Sequence, residues 1–268
     1  MLFAILFNLA ILSQLQHYLT QKNLYDTIRV SLAAGSVPIG PVQTNERPWD
    51  PGTPLAVLVA PEVGIGHEVI VEGTAAGQTM QGIGHQRDTA LPCQAGDSTL
   101  MARAASYGGT GTALKGMHAG DVFTITMGEG TCSYQVTGFR NPGDPPPAAS
   151  TGDQGHLALI TGGEGSELFL PTDTVTMDAV LITNSYPRPS ARILTNSLYD
   201  TEAPMASDTS NLFATVLLLE LLAAVTLGTV WLWKRWGRWQ AWIVGAPAIA
   251  AVFLMTSTSA NYLFPNLL

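Results

Sequence analysis

Few residues in this chain are able to do covalent chemistry. Cys93 and Cys132 are the only thiols among 268 residues, in Leu91-Pro92-Cys93-Gln94 and Gly130-Thr131-Cys132-Ser133. With no C-x-x-C spacing and no histidine beside either, they cannot supply a four-ligand zinc site. His67, His118 and His156 read as isolated polar residues in loops, and His85 in Gly84-His85-Gln86-Arg87 as part of a turn. Gly109-Thr110-Gly111 and Gly162-Gly163-Glu164-Gly165 lack the lysine and the spacing of a phosphate-binding loop. No cofactor and no metal are expected. Twelve basic residues against twenty acidic ones give a formal charge of -8, which repels a phosphate backbone, so nucleic acid is not expected as a partner.

The elements that position these residues begin with the membrane. A mean hydropathy of +0.21 with only 12% charged residues is too apolar for an ordinary soluble enzyme. Met1 to about Leu19 carries no charge before Lys22 and has the length of a bilayer span. It lacks the basic start and small-x-small cleavage site of a signal peptide and is expected to stay as an anchor. Leu212 to Trp233 and Ala241 to about Phe264 are two further apolar stretches, joined by Lys234-Arg235-Trp236-Gly237-Arg238-Trp239. Short basic loops remain cytoplasmic and tryptophans favour the headgroup layer, so this turn is expected inside. The central segment then lies outside the cell and the N-terminus in the cytoplasm, in a multi-pass plasma-membrane protein. Glu220, near the middle of the second span, costs about 2.5 to 3.5 kcal/mol there unless it finds company. By depth the company is Ser13 or Gln14 of the first helix or a partner subunit's helix, the alternative being a lone protonated carboxyl.

Between the anchors the chain reads as mainly β. Leu55–Ala60, Glu68–Glu72, Ser98–Ala102, Asp121–Thr126, Ser133–Val136, Leu157–Thr161 and Val175–Leu181 are short apolar or β-branched runs punctuated by Gly, Pro or Asp. Seven or eight such strands over about 130 residues fit a closed barrel or sandwich. The expected organisation is a transmembrane helix at 1–22, a juxtamembrane helix and linker at 23–51, the β domain at 52–186, a polar tether at 187–210 and a transmembrane hairpin at 211–268. Outside the cell, Cys93 and Cys132 are read as a disulfide closing a loop of about 39 residues and contributing about 2 to 4 kcal/mol. Two free thiols or a relocated nucleophile are the alternatives.

The order of motifs carries a resemblance. Pro54–Val59, Glu72-Gly73-Thr74, Gly82-Ile83-Gly84-His85, Asp88-Thr89-Ala90-Leu91-Pro92, Gly96-Asp97-Ser98, Tyr107-Gly108 and Gly120-Asp121 resemble the sortase family as found in Actinobacteria, of class E/F-like type, over roughly residues 52 to 183. That resemblance implies a membrane-anchored extracellular barrel of eight strands. It also implies a transpeptidase that cleaves a sorting signal through a Cys thioester, with a His and an Arg beside it.

Aligned on those motifs, this chain lacks all three. Arg103 stands where the His is expected, Gly162 where the Cys is expected, and Thr174 is nearest to the position of the Arg. An arginine is no general base near neutral pH. Three independent losses in a chain that keeps the barrel motifs imply a pseudoenzyme. Its expected role is binding or scaffolding with another envelope or membrane protein, with a peptide in the vestigial groove a further possibility. The Pro-rich Asn141–Ser150 falls where the family has a loop that helps recognise the sorting signal. The competing expectation is an active transpeptidase whose nucleophile has moved to Cys93 or Cys132.

Overall fold

The computed structural model describes residues 8–268 apart from 44–45, 148–152, 164–170, 192 and 195–196. The first seven residues of the expected first span, the end of the Pro-rich segment at 148–150, and Glu164 and Gly165 of the glycine cluster lie outside the described residues. The chain forms two units. One runs to Ala206 and takes in Pro265–Leu268, and the other is Ser207–Phe264.

The first unit is built on eight strands: β1 (Pro54–Ala60), β2 (Ile65–Glu72), β3 (Ile83–His85), β4 (Gly96–Ala102), β5 (Val122–Met127), β6 (Gly130–Arg140), β7 (Gly155–Gly162) and β8 (Thr174–Leu181). They close into a barrel in the order β1-β2-β3-β4-β7-β8-β6-β5. The β2–β3 and β4–β7 pairs are parallel, and the rest are antiparallel. Closure leaves no free sheet edge. Alternation along the strands sends Leu100, Phe123, Ile125, Tyr134, Leu157 and Leu159 into one buried core. Tyr134 has its hydroxyl accept the Cys93 amide at 2.8 Å, and burial pushes its pKa up to about 12. Seven strands match the apolar runs of the sequence. The eighth, Ile83–His85, was read there only as part of a motif.

The N-terminal helix requires a correction. One helix, α1 (Ser13–Ala33), follows a π turn at Asn8–Leu12, where an anchor ending at 22 and a separate juxtamembrane helix from 23 were expected. Ser13, His17, Gln21 and Ile28 are its buried residues. At 100° per residue they fall within one narrow stripe, and the stripe packs on the barrel. Gln21 accepts the Val69 amide at 2.8 Å and donates to the Gln81 carbonyl at 2.7 Å. His17 Nε2 lies 3.1 Å from Glu68, whose other partner is Thr110. These contacts tie one face of Ser13–Gln21 to the barrel, while Leu15, Tyr18 and Leu19 are exposed on the other.

Two helices α2 (Ala76–Thr79) and α3 (Thr110–Lys115) are single turns on the barrel. The tether after β8 returns to the same unit. Glu202 receives Nε of Arg87 at 2.8 Å in a buried ion pair that raises the Arg87 pKa, and the Glu202 carbonyl accepts the Thr74 hydroxyl at 2.7 Å.

The second unit is a helical hairpin, α4 (Leu212–Trp236) and α5 (Arg238–Asn261), turning at Gly237 with φ +107°. Both helices are long and apolar enough to cross a membrane, and no third such helix occurs among the described residues. Thr215 and Ser259 share a hydrogen bond of 2.8 Å, and the Trp233 and Trp242 rings lie 6.3 Å apart. Glu220 is exposed on α4.

Candidate functional site

Strand register brings Arg103, Gly162 and Thr174 to one end of the barrel. β4 and β7 run parallel with Ala102 opposite Thr161, so Arg103 and Gly162 are the next residues along each strand. β7 and β8 pair Gly162 directly with Thr174.

None of these three positions carries a thiol or an imidazole. Arg103 is 2% exposed, and its guanidinium donates to the Thr79 hydroxyl at 3.2 Å, the Ser106 hydroxyl at 3.1 Å and the Ala76 carbonyl at 3.3 Å, over the Tyr107 ring. A cation held by three acceptors and an aromatic face is a structural tie. The Gly162 carbonyl accepts Nζ of Lys115 at 3.0 Å, so a basic group from α3 reaches that backbone. Lys115 was not singled out in the sequence, because its approach depends on how α3 lies across the strand ends.

A second group of residues missed in the sequence fills this end. Pro265–Leu268 belongs to the barrel unit, and Asn266, Leu267 and Leu268 are 0%, 0% and 2% exposed. The Leu267 carbonyl accepts the Ala104 amide at 3.0 Å. The Leu268 carbonyl accepts the Ser106 amide at 3.2 Å and the Ser106 hydroxyl at 2.7 Å. Asn266 donates its side-chain amide to the carbonyls of Thr74 at 2.8 Å and Ala203 at 2.9 Å, and its backbone amide to Ala206 at 2.9 Å. A Cβ on Gly162 would stand 2.9 Å from the Leu267 carbonyl and 2.8 Å from the Pro171 ring. Glycine at 162 is therefore what lets this segment lie against the end of β7. Gly162→Cys is expected to destabilise the protein by about 1–3 kcal/mol through overpacking, measured as a fall in the thermal midpoint. An unchanged midpoint would show that the segment yields without cost.

The two cysteines are elsewhere. Their sulfurs are bonded at 2.01 Å, with Cα atoms 5.7 Å apart and 39 residues between them in sequence. Cys93 precedes the first residue of β4 and Arg103 follows its last, so about 23 Å of strand separates them at 3.3 Å per residue. Both cysteines are buried in the barrel core, and neither is free.

Ser13 and Gln14, expected at membrane depth beside Glu220, instead accept backbone amides of the barrel. Ser13 takes that of Tyr107 at 3.3 Å, and Gln14 that of Gly108 at 3.0 Å. Gly108 has φ +92°, and a Cβ there would lie 2.5 Å from the His17 ring, so this close helix contact requires glycine. His85, read as part of a turn, places Nδ1 3.0 Å from Glu72 and Nε2 2.9 Å from the Ala90 carbonyl, fully buried. The histidines read as isolated have neighbours: His156 lies 3.6 Å from Asp97, His118 3.8 Å from Asp121, and the His67 ring 4.4 Å from that of Tyr25. No cluster of three metal-ligating side chains occurs among the described residues.

The outer wall formed by β4, β7, β8 and β6 bears a shallow pocket of about 200 Å³ between His156, Arg140 and Pro146-Pro147 of the Pro-rich loop. Asp178 grips Arg140 there, with Nη2 at 2.9 Å from one carboxylate oxygen, which raises the Arg140 pKa.

No family model and no curated protein sequence matches this chain. Among solved structures it is similar to a sortase D5 transpeptidase of Clostridium perfringens, with a TM-score of 0.50 and 18% identity over 61% of this chain and 99% of that one. Sortase C of Clostridium perfringens SM101 matches at 0.43 and 19% identity, over 61% of this chain and 90% of that one. Sortase C1 of Streptococcus agalactiae matches at 0.41 and 18%, over 50% and 69%. The likeness to the first is one of fold, a closed sortase-like barrel.

Proposed function

We propose that this sortase-like barrel works outside the cell as a membrane-anchored binding or scaffolding subunit of an envelope complex, a degenerate relative of the actinobacterial class E/F-like enzymes. One observation carries the reading. At the barrel end where strand register gathers Arg103, Gly162 and Thr174, no thiol is present, while the chain's two cysteines are bonded to each other within the barrel core. Acyl transfer through a thioester requires a thiolate. What that end does offer is backbone and hydroxyl groups suited to holding a peptide.

The anchor supports the same reading. The hairpin leaves the barrel unit at Ala206 and rejoins it at Pro265, so an even number of crossings returns the chain to the side it left. With Lys234, Arg235 and Arg238 at the turn, that side is the outside. Glu220, exposed on an apolar helix, suits a polar group on a partner's helix, because alone it would cost about 2.5–3.5 kcal/mol in the bilayer centre.

Affinity purification of the intact protein from its own membranes in mild detergent is expected to retain an envelope protein in fixed ratio. A lone monomer under several mild conditions would count against the complex. In parallel, sorting-signal peptides incubated with the purified protein, with and without reductant, should remain uncut by mass spectrometry. Cleavage would return the protein to the enzymes.

A further inference from the structure

We propose that Pro265–Leu268 is an intramolecular peptide ligand that closes the cleft at the Arg103–Gly162–Thr174 end, so that the cleft is held shut in cis and opens only when this segment leaves. The proposal rests on the reading of that end as a binding site and adds what occupies it.

The segment is held as a bound peptide is held. The main-chain oxygens of Leu267 and Leu268 accept the amides of Ala104 and Ser106 in the bend after β4, the Leu268 amide closes on the Pro265 carbonyl at 3.1 Å to fold the segment into a tight turn, and Asn266, Leu267 and Leu268 are all buried. Asn266 supplies direction, since its single side chain bridges two carbonyls, Thr74 and Ala203, that belong to different segments. Gly162 supplies access, because any side chain there would meet the Leu267 carbonyl. Removing the segment would leave the Ala104 and Ser106 amides and the Thr74 carbonyl without these partners, and such groups bind the next peptide or water to reach them. The cleft therefore carries the complement of a tight turn with two adjacent leucines after an asparagine.

Tethering explains why an outside peptide would find the site closed. A linked ligand acts at an effective concentration on the order of 1 mM, so a free peptide of about 10 μM intrinsic affinity is weakened about 100-fold while the segment stays bound.

The test uses the full-length protein in detergent and a fluorescein-labelled peptide of sequence Phe-Pro-Asn-Leu-Leu, matching residues 264–268. Leu267→Asp should release the internal segment and bind the free peptide about 100-fold more tightly than the wild type. A folded Leu267→Asp protein that binds it no better overturns the proposal. Hydrogen exchange supplies a measurement that does not depend on that variant folding. Asn266→Ala should speed exchange in the 103–109 turn and leave β7 protected. Unchanged exchange, or equal acceleration of the turn and β7, overturns the proposal, because the segment would then be immobile core. Mass spectrometry of the peptide separates the two readings. Cleavage by the released variant defeats the non-catalytic function but not the cis ligand, whereas absent peptide binding with a co-purifying partner retained defeats only the cis ligand.

Discussion

Replacing Cys93 and Cys132 together by alanine is expected to lower the unfolding free energy by about 4 kcal/mol, the entropy of leaving a loop of that length open. The effect is large because the bond ties the turn before β4 to the start of β6 and closes a loop of 39 residues. For a chain of this size the thermal midpoint should fall about 8–16 °C, followed by circular dichroism in detergent. Reductant should move the wild type toward the variant and leave the variant unmoved. A shift under about 2 °C would mean that the unfolded chain is already compact around this loop. Since the disulfide lies in the barrel core and none of the contacts of Arg103 involves it, binding at the cleft should survive at temperatures where the variant remains folded.

Glu202→Ala should destabilise the protein by about 3–5 kcal/mol. Arg87 is 7% exposed and its guanidinium is directed at that carboxylate, with the Tyr199 ring 5.3 Å away. Removing the acid leaves a buried cation whose desolvation is no longer compensated, which costs more than the pair itself contributes. The double replacement Arg87→Met with Glu202→Leu should recover most of the loss, because neither partner is then left unpaired. If the single and double variants unfold at the same midpoint, the pair is not what clasps the 200–202 turn to the barrel. The Thr74 hydroxyl bond to the Glu202 carbonyl would then be the stronger tie.

Seven of the eight strands are legible in the sequence, because a strand with one face in the core alternates, as Leu157, Leu159 and Thr161 do against His156, Ala158 and Ile160. Ile83–His85 shows no alternation. It is three residues long, buried throughout, and held by main-chain pairing to β2 and β4. The first helix was legible as apolar, but its protein-facing stripe was passed over, although Ser13, His17 and Gln21 stand four residues apart each time and so share one face. At the candidate site, the identities of residues 103, 162 and 174 are plain in the sequence, but their meeting depends on a parallel pairing between strands about sixty residues apart. The docking of Leu267 and Leu268 left no periodic signal at all, since two adjacent leucines after an apolar helix read equally well as its fraying end.

Synthesis from the N-terminus delivers Pro265–Leu268 only after the hairpin that precedes it has been made. The Ala104 and Ser106 amides and the Thr74 carbonyl must therefore wait for these last contacts while the rest of the barrel assembles. Completion of the barrel is thereby timed to the arrival of the apolar hairpin, and a chain cut short before Pro265 would carry an unfinished, water-exposed barrel end.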